Sequence, residues 1–386
     1  MAQRNVGLDL LRAIAILLVL ANHAFLTFFV QTGHATWTGI AAFLSTLTII
    51  SIEWLFVLSG FLIGTMMIRS MEGTGTWWSR ARSFWLRRWF RTFPAYYLFL
   101  IINILLVAIQ VAPGAYSVRY AFFAQNLVGP MATPYFFVES WTLALDEWFY
   151  LAMPILVGLA SLAFGAERRR SFLFAALALI LIPTLARWLA APALDATDWD
   201  QRFRGVTLYH LDATGWGVLA AIASRWWGKV WSTHVAGKAA VGGLLTATGL
   251  LMLECYSLDV GPWRSFPRLW SALPLTLTAV GTFLLLPWVA SLQGFRLRAA
   301  TVVERLSLYS YAIYLCHLPL AFLLRAALDS TESASLAAIW AQTGLWLALT
   351  VASAAAIYHG FEKPVFDLRE RFTAKVDANP FTAAQS

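Results

Sequence analysis

Charge is scarce in this chain of 386 residues. Only 12% of it is Asp, Glu, Lys or Arg, against 60% apolar residues, and its mean hydropathy is +0.67. Soluble globular domains carry roughly 25% charged residues, so that class is excluded and a polytopic membrane protein is expected. Cysteine is almost absent: Cys255 and Cys316 both stand in apolar runs, without CxxC or Cys/His ligand spacing, which leaves no basis for a disulfide framework or a zinc site. No metal ligand set is expected at all. The motifs of soluble enzymes are missing too, with no GxSxG elbow, HExxH, P-loop or GxGxxG; GTGTWW at Gly73 is a short loop. No internal or inverted repeat and no long linker divides the chain, so one domain is the simplest arrangement. The net charge of +8 collects in loops between apolar runs, and nucleic acid is not an expected partner.

What is there is a succession of apolar segments, at about 7–30, 40–68, 92–111, 136–162, 171–191, 206–226, 238–258, 269–291, 307–328 and 338–360. They predict an all-α bundle of about ten transmembrane helices in a lipid bilayer. The 19 Trp and 27 Phe suit interfacial belts and bulky interhelical packing. With Arg4 placed in the cytosol, the loops on that side hold most Lys and Arg, including Arg69, Arg80, Arg87, Arg88, Arg91, Arg168 to Arg170, Arg225, Lys229 and Lys238. The opposite loops hold turn formers and acids, as in APALDATDWDQRFRG. This asymmetry predicts both termini inside, a membrane domain over 1–371 and a disordered cytosolic tail over 372–386. A cleaved signal peptide competes for the first run, which nevertheless stays apolar to Val30.

Arg12 and His23 stand eleven residues apart within that first run. The spacing is three helical turns plus about 20°, with a rise of roughly 16 Å, so both share one face at different depths. Ionisable groups at such depths usually line a cavity or a pathway. In WWSRARSFWLRRWFRTFPAYY, Arg80, Arg87 and Arg91 fall together on a helical wheel, with Arg88 nearby and Trp78, Trp85 and Trp89 opposite. The segment reads as an interfacial helix, and its arginines would meet either lipid phosphates or a phosphorylated ligand. Asp146 and Glu147 are adjacent in the fourth run, so at most one is expected in the cavity; either could pair with an intramembrane Arg, or Glu147 could orient His23. Asp212 is expected to face the cavity, with His210 nearer the loop. His317 stands deep in the ninth run, before Pro319, and serves either packing or chemistry. His34, His234 and His359 lie near span ends and receive no role.

GLDLLRAIAILLVLANH resembles the opening of the acyltransferase 3 family of integral membrane O-acyltransferases. FVLSGFLIG from Phe56, RRWFRTFPAYY from Arg87, SWTLALDEWFYL from Ser140, LDATGWGVLAA from Leu211, YSYAIYLCHLPL from Tyr309 and YHGFEKPVF from Tyr358 extend the resemblance in order along nearly the whole chain. It implies a ten-helix domain of the plasma (inner) membrane that moves an acyl group, by default acetyl, from cytosolic acyl-CoA to a hydroxyl, often of a sugar. Acyl-CoA is then a donor substrate, and no permanently bound cofactor is expected. By resemblance His23 is catalytic, with Glu147 as the acid that precedes Phe149 and Tyr150. Arg12 is its partner in the first run, and Arg87, Arg88 and Arg91 meet the donor. Asp146, Tyr150, Asp212 and His317 are further candidates for the acceptor or the cavity wall. The family's paired glutamates followed by Gln read Asp146, Glu147 and Trp148 here, which bears on the acceptor. General-base catalysis and an acyl-histidine intermediate both remain open from sequence, and a transporter using the buried His, Asp, Glu and Arg is the alternative function.

Overall fold

A computed structural model of the chain describes residues 5–30, 35–72, 76–165, 167–190, 199, 203–292, 300–328 and 335–368. Its long helices are α1 (Val6–Ala24), α2 (Ala35–Glu72), α3 (Trp77–Ala108), α4 (Ser140–Phe164), α5 (Arg168–Ala190), α6 (Asp212–Trp226), α7 (Val235–Ser257), α8 (Pro267–Ser291), α9 (Ala300–Leu328) and α10 (Leu336–Ile357). There is no strand among the described residues. Nine of these helices are long and apolar enough to cross a membrane, which makes the chain a multi-pass membrane protein.

The sixth predicted span is the exception. The run at 206–226 opens with a 3-10 turn, Thr207–Tyr209, and becomes α6 only at Asp212, for 15 residues. Before α6 the Tyr209 carbonyl accepts from Arg187 Nη1 at 2.5 Å, and the Asn126 carbonyl accepts from the Thr207 N–H at 2.8 Å. These bonds anchor the segment to α5 and to Asn126. The predicted interfacial helix is corrected as well. Residues 77–97 are the first turns of the 32-residue α3, whose N-cap Thr76 accepts from the Ser79 N–H, so basic segment and span form one element.

α1 packs between α2 and α9. Its N-terminus is capped by the Asn5 side chain, which accepts from the Leu8 N–H and donates to the Ala290 carbonyl of α8 at 3.0 Å. α1 thus forms a wall of the bundle. It ends in a π-helical turn, Phe25–Phe29, directly after His23. α2 and α6 meet backbone to backbone: a Cβ on Gly60 would lie 2.1 Å from the Thr214 carbonyl oxygen, and one on Gly217 would lie 2.1 Å from that of Val57. Only glycine permits this approach. The long connection between α3 and α4 is stitched to the bundle by side chains. Tyr96 and Tyr97 donate to the carbonyls of Tyr120 and Ala121, both at 2.7 Å, and Asn126 donates to the carbonyls of Trp141 and Gly205. These bonds fix the start of α4. The predicted tail at 372–386 lies outside the described residues.

Candidate active site

Arg12 and His23 open onto two adjoining cavities. The first, about 200 Å³, is lined by Arg12, Arg88, Arg91, Asp146, Glu147 and Tyr150 together with Ser59, Thr92 and Thr142. The second, about 520 Å³, is lined by His23, Asn22, Ser45, Glu139, Trp141, Trp199, Arg204 and Tyr256. Ile52 and Tyr314 border both and form the wall between them. The Thr142 hydroxyl lies 2.9 Å from that of Tyr314, which fixes the ring at this wall. Spacing alone had placed Arg12 and His23 on one helical face at different depths, and the two cavities divide along that depth.

In the arginine cavity, α1 supplies Arg12, whose Nη1 donates to Ser307 Oγ at 3.1 Å and lies 3.9 Å from Asp9. Ser307 in turn donates to Asp9 at 2.5 Å. α3 supplies Arg88, with its guanidinium 5.2 Å above the Tyr150 ring, and Arg91, one turn on. Arg87 is not part of this lining. Three guanidinium groups around one hollow form a site for anionic oxygens, since their planar forks match phosphate geometry. Both acids of α4 reach the cavity, contrary to the expectation of one: it wraps about 100° of the helix surface, enough to meet consecutive side chains. Asp146 accepts from Ser59 Oγ at 3.0 Å. Glu147 Oε2 is buried without a hydrogen-bond partner.

In the histidine cavity the partner of His23 is His317. His23 Nδ1 and His317 Nε2 are 2.8 Å apart, and the rings stack with centroids 4.9 Å apart. Glu147 was expected to orient His23, but it lines the other cavity; residues 294 apart in sequence make this pair instead. The walls combine flat apolar faces, Trp141, Trp199 and Tyr256, with Asn22, Glu139 and Arg204. The Arg204 guanidinium lies 4.7 Å above the Trp141 ring, and Ser45 donates to Asn22 Oδ1 at 2.9 Å. Glu139, just before α4, is buried with Oε1 unpartnered among the described residues, and burial pushes its carboxyl up to about 8. Glu139, Trp141, Arg204 and Tyr314 were not selected from sequence. The SWTLALDEW stretch carried a signal for Trp141, whereas Arg204 is drawn in from a loop that no periodicity describes.

Asp212, expected to face the cavity, lines neither of the two. It is a buried partner of Arg187, whose Nη1 and Nη2 donate to its two carboxylate oxygens at 3.0 and 2.7 Å, and Thr184 donates to it at 3.2 Å. A bidentate pair at zero exposure holds α5 to α6. His210 is equally buried, bonded through Nε2 to Glu53 and through Nδ1 to the Arg204 carbonyl at 2.7 Å, with its ring stacked on Trp141. It supports the cavity wall from behind. No group of His, Cys, Asp and Glu with the arrangement of a metal site occurs among the described residues.

The family model described as "Acyltransferase domain" matches residues 5–359. Proteins of Staphylococcus aureus strains COL, MSSA476 and N315, named as candidate O-acetyltransferases, are each 25% identical over 182 residues, covering 44% of this chain. The chain covers 27% of the length of these curated relatives. No solved structure matches it.

Proposed function

The chain belongs to the acyltransferase 3 family, and on that premise we propose that it is a membrane O-acyltransferase which moves an acyl group, acetyl by default, from cytosolic acyl-CoA to a hydroxyl of a carbohydrate or glycoside. The juxtaposition of an arginine cavity and a histidine cavity across Tyr314 and Ile52 carries this reading. Arg88, Arg91 and Arg12 hold the anionic part of the donor, with Arg87 at the approach. The pantetheine arm carries the thioester towards the wall. A sugar ring lies against Trp141, Trp199 and Tyr256, with Asn22, Glu139 and Arg204 lining the same cavity near its hydroxyls.

His23 acts as general base. The acceptor oxygen attacks the thioester carbon as its proton passes to the imidazole, a C–O bond forms, the C–S bond breaks, and the CoA thiolate takes the proton back as thiol. General-base help of this kind contributes typically ~10²- to 10⁴-fold. In this reading both termini lie on the cytosolic face of the inner membrane, as the basic loops favour, so donor and acceptor arrive from opposite sides. Of the buried groups a transport route would use, Asp212 and His210 are instead committed to Arg187 and Glu53. The test is transfer of labelled acetyl from acetyl-CoA to glycan by the purified, reconstituted protein. Wild-type protein is expected to label the acceptor and His23→Ala to lose transfer while remaining folded. Undiminished turnover by His23→Ala refutes the assignment.

A further inference from the structure

Two imidazoles in contact raise the question of which nitrogen carries each proton, and the surrounding backbone answers it. His317 Nδ1 lies 2.7 Å from the Tyr314 carbonyl oxygen and 3.2 Å from that of Ile313. Carbonyl oxygens only accept, so His317 Nδ1 carries a hydrogen. Among the described residues no carboxylate is hydrogen-bonded to either ring, so no counter-charge there supports a resting imidazolium, and Nε2 of a neutral His317 presents a lone pair. That lone pair meets His23 Nδ1 at 2.8 Å, which must therefore be the protonated nitrogen of His23. The remaining nitrogen, His23 Nε2, keeps the basic lone pair.

We propose that His317 is a positioning residue for His23: through the chain Tyr314 carbonyl, His317 and His23 Nδ1, it fixes the tautomer that leaves His23 Nε2 as the proton acceptor. This inference rests on the reading of His23 as the base. Its mechanical support is complete, because His317 is fully buried and its own carbonyl accepts from Trp346 Nε1 at 2.8 Å, tying α9 to α10. When His23 takes the acceptor proton, its Nδ1–H becomes a charge-assisted donor to His317, and the contact strengthens as charge develops. A neutral imidazole thus does the orienting task that a carboxylate performs in a Ser-His-Asp arrangement.

The experiment compares His317→Leu, which removes the acceptor, with His317→Gln, whose side-chain oxygen reaches the position of Nε2. His317→Leu is expected to lower kcat by about 100-fold or more with the donor KM within about threefold, and His317→Gln to recover at least about tenfold of that loss. Wild-type kcat in His317→Leu overturns the proposal. So does a His317→Gln protein that folds but is as slow as His317→Leu, since a merely structural role would leave the acceptor oxygen irrelevant. Nitrogen-15 spectra of histidine-labelled wild-type protein decide the matter if His317→Leu does not fold: a hydrogen on His23 Nδ1 is expected, and one on Nε2 overturns the proposal. Retained turnover by His23→Ala is a different failure, which removes the base itself while leaving the spectroscopic result standing.

Discussion

Replacing Asp212 by Asn leaves the Arg187 guanidinium buried opposite a neutral amide. The aspartate takes two hydrogen bonds from Arg187, at 3.0 and 2.7 Å, and one from Thr184 at 3.2 Å. Among the described residues Arg187 otherwise donates only to neutral acceptors, the Tyr209 carbonyl at 2.5 Å and Thr276 Oγ1 at 3.0 Å. Neither partner of the ion pair reaches solvent, with side-chain exposures of 0% and 1%. Breaking such a pair from one side costs about 3–5 kcal/mol, because an uncompensated charge stays behind. At 1.4 kcal/mol per tenfold, Asp212→Asn should lower the folded-to-unfolded ratio by at least about a hundredfold. Arg187→Met combined with Asp212→Leu removes both charges and should recover most of the loss. The assay is unfolding in mixed micelles followed by tryptophan fluorescence. Acyl transfer per folded molecule should be unchanged, since Asp212 lines neither cavity. Wild-type stability in Asp212→Asn, or a double variant no better than the single one, refutes the reasoning; a tenfold drop in specific activity would restore Asp212 to the site.

Arg88→Met should raise the donor KM by about 10- to 100-fold with a smaller effect on kcat, since a hydrogen bond to a charged group is worth about 1.5–3 kcal/mol; a change confined to the acceptor KM contradicts the donor assignment. Gly60→Ala forces a methyl group against the Thr214 carbonyl and should lose folded protein on fluorescence-detected size exclusion, whereas Gly243→Ala, with nothing within 4 Å of the added carbon, should not. Burial raises the Glu139 carboxyl to about 8, so the folded chain holds a proton that the unfolded chain has released at pH values between the ordinary carboxyl value and 8. Stability should therefore fall as pH rises through that window, and Glu139→Gln should flatten the decline when unfolding midpoints are compared from about pH 5 to about pH 9. Parallel curves for the two proteins would show that Glu139 ionises normally.

The bundle and the shared face of Arg12 and His23 were legible because both follow from hydropathy and from a spacing within one helix. The partners of the buried charges were not. His23 with His317, Glu53 with His210, and Arg187 with Asp212 each join different helices, and one sequence carries no period that links them. Asp212 therefore read as a cavity residue, although its charge is absorbed by an arginine 25 positions earlier. The adjacent acids misled in the opposite sense. A wheel assigns Asp146 and Glu147 different directions, but it is silent on how far a cavity curves around α4. The overestimated sixth span has a similar origin, since apolar content from 206 onward concealed backbone groups that serve Arg187 and Asn126.

The glycine seam between α2 and α6 has a mechanical consequence. With Gly60 and Gly217 set against opposing carbonyls, no side-chain layer lies at this point to act as a bearing on which one helix could glide along the other. The seam is a keel: whatever motion the bundle undergoes, α2 and α6 travel together as one beam.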